Sequence, residues 1–111
     1  MGATQSHLFT DEQNELARIA RVLAHPARIA ILQYLIQANA CINGDLVQEI
    51  GLAQATISQH LRELKSIGII QGTIDGVKVS YCIDPLRLSE IKKQLNQLFD
   101  SFSSSSLGNC C

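Results

Sequence analysis

Apolar residues in the first third of the chain recur at spacings of three and four. Leu16, Ile19, Ala20 and Leu23 form one such stripe, and Ile29, Leu32, Leu35 and Ile36 form a second. This period predicts two amphipathic helices, over residues 11–24 and 26–38. Thr10 with Gln13 three places later makes a capping box, and Asp11-Glu12 suits the positive end of a helix. His25-Pro26 ends the first helix, and proline is well placed in the first turn of the second. After the loop Cys41-Ile42-Asn43-Gly44, a short helix over 44–50 turns Leu46, Val47 and Ile50 inward, and Gly51 stops it. A longer helix over 54–67 carries Ile57, Leu61, Leu64 and Ile67 on one stripe.

Two helices joined by a tight glycine-containing turn make a helix-turn-helix pattern. The period then changes. Ile69–Ile74 and Val77–Ile83 are β-branched runs on either side of Asp75-Gly76, which predicts a hairpin with a two-residue turn. Val77, Val79, Tyr81 and Ile83 alternate with polar or small residues, so one strand face is apolar. A last helix over 85–102 opens on Pro85 and steps through Leu88, Ile91, Leu95, Leu98 and Phe102. The stripe is narrow, as in a dimer seam. The expected fold is α+β and mostly helical: a winged helix-turn-helix with a two-stranded wing and terminal helices forming a dimer interface. Residues 1–102 make one DNA-binding and dimerisation domain, and 103–111 a serine-rich tail ending in Cys110-Cys111.

The chain has 111 residues, 46% of them hydrophobic and 17% charged, enough for one core. A domain this small gains from burying further surface in a dimer. Aromatic residues are only 5% and tryptophan is absent, which excludes an aromatic platform for single-stranded nucleic acid. No apolar run is long enough to span a bilayer, and residues 1–7 lack the basic and apolar regions of a signal peptide. These features predict a cytoplasmic protein with no membrane partner and reduced thiols. Net charge is −1, so contact with DNA has to come from a local patch. Arg62, Lys65 and Lys78 outnumber Glu63 and Asp75 within residues 53–82. A phosphate loop, a nucleophile elbow and a Ser/His/Asp constellation are all missing, so no enzyme is expected.

Leu23-Ala24-His25-Pro26-Ala27-Arg28-Ile29, Asp45-Leu46-Val47, Gly51-Leu52-Ala53-Gln54-Ala55-Thr56-Ile57-Ser58-Gln59-His60-Leu61 and Gly68-Ile69-Ile70 together resemble the ArsR/SmtB family of metal- and arsenic-responsive repressors. The match runs over about residues 10–100. It implies a homodimeric repressor on a double-stranded DNA operator, released by a ligand at cysteine or histidine sites.

With Leu61 and Leu64 facing inward, a 100° step per residue points Ala55, Thr56, Gln59, Arg62 and Glu63 away from the core, with Ser58 on the flank and Gln54 in the first turn. Residues near the start of a recognition helix reach base edges. Glutamine pairs with adenine, and the methyls of Ala55 and Thr56 suit thymine. Arg62 and Lys65 suit phosphates, and Lys78 suits the backbone beside the wing. By resemblance, Gln54, Ala55, Thr56, Ser58 and Gln59 stand where the family contacts DNA. His60, beside the buried stripe, reads as a packed, hydrogen-bonded histidine, and His25 as structural.

The family senses at a Cys-x-Cys-Asp cluster opening the helix at 44–50, or at His/Asp pairs on the last helix. This chain departs from both. Ile42 and Gly44 precede Asp45, Cys41 comes one residue early, and the last helix has no histidine. Cys41, Cys110 and Cys111 remain as ligands. A three-thiolate shell from them suits arsenite or antimonite as inducer, and residues 103–111 reach up to roughly 30 Å when extended. The alternatives are a redox or persulfide link between Cys41 and a terminal cysteine, and a soft divalent ion such as cadmium or lead. Cys82 reads as strand packing, and His7 as part of an unstructured N-terminus.

Overall fold

A computed structural model describes residues 6–42, 50–74 and 80–102. After a 3-10 turn at Ser6–Leu8, which contains His7, come α1 (Asp11–Leu23), α2 (Pro26–Ala38), α3 (Gln54–Ser66), β1 (Ile70–Thr73), β2 (Ser80–Ile83) and α4 (Pro85–Asp100). The expected helix at 44–50, except Ile50, lies outside the described residues, as do Asp75-Gly76, Lys78 and the tail with Cys110 and Cys111.

The helix ends form for the reasons the sequence offers. The Thr10 side chain accepts from the Gln13 N–H, and the Gln13 side chain accepts from the Thr10 N–H, both at 3.0 Å. Asn39 closes α2 in the left-handed region at φ 51°, its N–H bonded to the Leu35 carbonyl. Asp84 caps α4, its carboxylate accepting from the N–H groups of Leu86 and Arg87.

The core joins Ile19 and Val22 of α1, Ile31, Leu32 and Leu35 of α2, and Ile57, Leu61 and Leu64 of α3. Ile67, Ile69, Ile70, Ile74, Tyr81 and Ile91 complete it. The stripe expected on α3 is the one observed. On α2 it is not: Ile29 and Ile36 are 41% and 53% exposed, and Ile31 is buried instead. This helix is apolar on most sides, so periodicity could not choose its inner face. The 89° corner with α1 chose it by turning Ile31 and Leu35 toward α3. The α4 stripe also divides. Ile91 is buried and Leu88 and Leu95 are half-buried, whereas Leu98, Phe99 and Phe102 are exposed.

The two strands are antiparallel, with Ile70 opposite Ile83 and Thr73 opposite Ser80. A two-residue turn at Asp75-Gly76 would have set Thr73 opposite Lys78, so the register is moved by two residues. Tyr81, buried at 1% exposure, pairs with Gly72 on one side and with Ile42 on the other. That second pairing occupies the other edge of β2 at Tyr81.

Candidate functional site

The helix with an exposed polar face is α3. Gln54, Ala55, Thr56, Gln59 and Arg62 are exposed and Ser58 is half-buried. The Gln54 amide donates to Ser58 Oγ at 3.2 Å, and the Arg62 guanidinium donates to Gln59 Oε1 at 3.2 Å. Two ridges of side chains therefore run along the face. Ala53, at the N-cap, makes no side-chain bond to the first turn. Glu63, expected to point outward, is half-buried.

The C-terminal end of α3 is fixed to the body. At the end nearer β1, the carbonyl of Ser66 accepts from Arg18 Nη1 at 3.2 Å, and that of Ile67 accepts from Arg87 Nε at 2.8 Å. Glu15 joins the two arginines, 3.2 Å from Arg18 and 2.9 Å from Arg87. Burial pushes the Glu15 carboxyl up, but the hydrogen bonds and charges of the two arginines outweigh that and hold it below the usual carboxylate range. Gly68, at φ 79°, leaves room for Arg87 to lie across the helix end, its Cγ 3.2 Å from where a β-carbon would stand. Lys65, expected at a phosphate, donates to the Gly72 carbonyl at 2.7 Å and ties α3 to the wing.

The inner side of α3 is held by two sequence segments that meet. His25 Nδ1 accepts from the Ala27 N–H at 3.1 Å and caps α2. Its ring packs on His60, with centroids 4.4 Å apart. Arg28 donates to His60 Nδ1 at 3.1 Å and to the Val22 carbonyl at 3.0 Å. Thus His25-Pro26-Ala27-Arg28 is a clamp, and His60 is what it grips. Burial, then the neighbouring His25 and Arg28, push the His60 pKa down; Glu63 opposes them weakly. Protonation at Nδ1 would also remove the acceptor Arg28 needs.

The sign of the resulting pH dependence is fixed. The folded state binds its proton at lower pH than the unfolded chain, so stability is full above the ordinary histidine range near 6.5 and falls as pH drops through it. Denaturation at about pH 7.5 and about pH 5.5 should give a lower midpoint at the acid value. His60→Gln, which keeps an acceptor, should flatten the difference; an equal acid loss in that variant would show that another group carries it.

The thiols are arranged as the sequence did not suggest. Cys41 is exposed in the segment after α2, and Cys82 is half-buried on β2. The neighbouring Cys41 thiol first, and burial second, push the Cys82 pKa up, with Gln71 opposing. No local signal marks this pairing, because it depends on Ile42 meeting Tyr81 across the fold. His7 is exposed in its 3-10 turn. Among the described residues, no three or more His, Cys, Asp or Glu side chains are grouped to hold a metal.

Residues 25–71 match the family described as bacterial regulatory protein, arsR family. This segment begins at the His25 clamp and ends on β1. The regulator CmtR of Mycobacterium tuberculosis, described as HTH-type and transcriptional, is 33% identical over 93 residues, covering 82% of this chain and 78% of its own. The chain belongs to the ArsR/SmtB family. The biofilm growth-associated repressor of Xylella fastidiosa (strain 9a5c) is 26% identical, covering 86% of this chain and 87% of its own. The crystal structure of Rv0081 from M. tuberculosis superposes with a TM-score of 0.60 at 28% identity, covering 84% of this chain and 97% of that one. Family membership makes the chain a DNA-binding transcriptional repressor of the winged helix-turn-helix kind, and not an enzyme. Among the described residues, no single helix is long and apolar enough to cross a membrane.

Proposed function

We propose that the chain acts in the cytoplasm as a homodimer that holds an inverted-repeat operator and releases it when cysteine thiolates bind a thiophilic metalloid. The observation that carries the DNA half is the exposed face of α3, a helix whose other face is packed and whose C-terminal end is tied down. Gln54, Ala55, Thr56, Ser58 and Gln59 read base edges in this proposal. Arg62 and, beside the wing, Lys78 hold the phosphate backbone. The open N-terminus of α3, without a side-chain cap, adds N–H groups for a phosphate.

Leu98, Phe99 and Phe102 at the end of α4, with Leu8 and Phe9 before α1, are more than half exposed. Apolar residues grouped like this mark an interaction surface, and a second copy of the chain is the occupant that gives DNA two recognition helices. A two-fold dimer sets those helices about 34 Å apart, one turn of DNA. Gln59→Ala should weaken binding to a selected inverted repeat by about 1–3 kcal/mol at fixed salt and relax preference at one base position. An unchanged gel-shift titration would take Gln59 out of the interface.

The ligand half rests on Cys41, which is exposed at the start of the segment leading into the helix-turn-helix. Cys41, Cys110 and Cys111 supply three sulfurs for arsenite or antimonite. By linkage, metalloid weakens DNA binding by the factor that DNA weakens metalloid binding. Binding releases thiol protons, so affinity rises with pH. One metalloid per protomer, lost in Cys41→Ser, is the expected mass-spectrometric result. A persulfide or disulfide mass without metalloid uptake would replace this inducer with a sulfur oxidant.

A further inference from the structure

The Cys41–Cys82 contact is set by backbone register. Ile42 and Tyr81 exchange both of their backbone hydrogen bonds, at 2.8 and 3.1 Å. In an antiparallel ladder the next pair along is then a non-hydrogen-bonded one, whose α-carbons stand about 4.5 Å apart and whose side chains share a face. Cys41 and Cys82 are that next pair, since Ile42 and Tyr81 are their direct neighbours. A disulfide requires α-carbons about 4.4–6.8 Å apart, a range that includes such a pair. The two thiols are near enough that Cys41 pushes the Cys82 pKa up. They open onto a cavity of about 520 Å³ bordered by Leu35, Ile36, Leu88 and Lys92. Among the described residues no third metal-ligating side chain is grouped beside them, and two adjacent thiols are the set that a two-electron oxidation needs.

We propose that Cys41 and Cys82 form a redox pair that closes into an intramolecular disulfide under a hydroperoxide. Cys41 is the exposed member and reacts first. Its thiolate attacks the O–O bond, takes one oxygen as a sulfenic acid, and the leaving oxygen departs as water or an alcohol. The Cys82 sulfur then displaces hydroxide from that sulfur as its own proton is lost, forming the S–S bond and a water. The peroxide is reduced by two electrons and the two thiols are oxidised. Reduction by a dithiol restores them.

The covalent ring encloses residues 42–81, including all of α3 and β1. Oxidation therefore pins the start of the helix-turn-helix segment to the base of the wing. The wing then cannot adjust to the DNA backbone while α3 seats in the groove. This consequence rests on the operator reading above, and the bond itself does not.

The test uses the full chain with Cys110 and Cys111 replaced by serine, treated with hydrogen peroxide and mapped by mass spectrometry without reduction. The expected result is a Cys41–Cys82 linked peptide lighter by two hydrogens, reversed by dithiothreitol and also formed in the unsubstituted chain. Cys82→Ser should instead leave a Cys41 sulfenic acid that dimedone traps. A duplex selected from a random pool against the reduced protein should bind the oxidised protein at least about tenfold more weakly, with recovery on reduction. Cys82→Ser should not respond. Sulfinic acid at Cys41 beside a free Cys82, or a link only between protomers, overturns the pair. A link that leaves duplex affinity unchanged overturns its regulatory effect. Failure of the reduced protein to select any duplex counts against the operator reading alone, because the linked peptide is read independently.

Discussion

Replacing Arg28 by methionine should cost about 2–4 kcal/mol of folding stability, together with most of the affinity for DNA. One guanidinium serves two acceptors, His60 Nδ1 and the Val22 carbonyl, in a half-buried position. Methionine fills much of the volume but leaves both acceptors without a donor. His60, only 7% exposed, has little water to turn to. Arg28→Lys is not a rescue, since a single ammonium on a flexible stem cannot match a planar fork set between two acceptors. The loss reaches DNA because His60 lies on α3, and freeing its ring loosens the angle at which the recognition helix is presented. A second readout separates this from general damage. Removing the Arg28 charge takes away one of the influences that lower the His60 pKa, so the folded and unfolded values draw together and the acid loss of stability should become smaller. Urea denaturation at one fixed protein concentration is the measurement, because a dimer's stability depends on concentration. A change below about 0.5 kcal/mol would show that the clamp is ornamental.

Gly72→Ala should detach the wing. Gly72 lies in β1 at φ 119°, a conformation other residues adopt only under strain. An added β-carbon would meet the Ser80 carbonyl oxygen at an impossible distance and stand 2.8 Å from the Tyr81 α-carbon. Both obstacles are backbone, so no rotamer change relieves them. Strain at such a position costs about 1–3 kcal/mol before the clash is counted. Relief comes only if β1 separates from β2, which unpairs Tyr81 and frees the Gly72 carbonyl that Lys65 holds. The helices should survive, since their core does not pass through Gly72. Circular dichroism should show helix content nearly kept while DNA affinity falls and β-strand amide protection is lost. Full retention of those protected amides would mean that the strand pair accommodates a side chain there.

The two variants probe the opposite supports of α3. One is the histidine clamp on its inner side, the other the wing tied through Lys65. The arginine pair across Glu15 is a third support, and it links α1 and α4 to the last carbonyls of the recognition helix. The exposed apolar end of α4 belongs to that same body. A change in how two protomers pack there has a direct mechanical route to the DNA-reading face.

Much of this was legible in the sequence because it is local. A capping box needs only Thr10 and Gln13, and a proline in the first turn needs only Pro26. The α3 stripe is legible because polar residues surround it on the remaining sides, so one helical phase alone buries Ile57, Leu61 and Leu64 and exposes Gln59 and Arg62. Periodicity failed on α2, where apolar residues occupy nearly every side and several phases bury equal area. It failed again at the hairpin, where Asp75-Gly76 is a sound turn signal but the strands pair two residues away from the register it implies.

The sequence by itself determined the order of the described elements, the exposed polar face of α3 and the family to which the chain belongs, because those follow from neighbours along the chain and from two motifs. Tertiary structure alone decided that His25, Arg28 and His60 form one clamp, that Lys65 is bonded to the wing, and that Cys82 is the neighbour of Cys41. Those are contacts between residues far apart in the chain. They exist only after the core has packed, and nothing in local propensity or spacing encodes which distant side chains a packed core will bring within bonding distance.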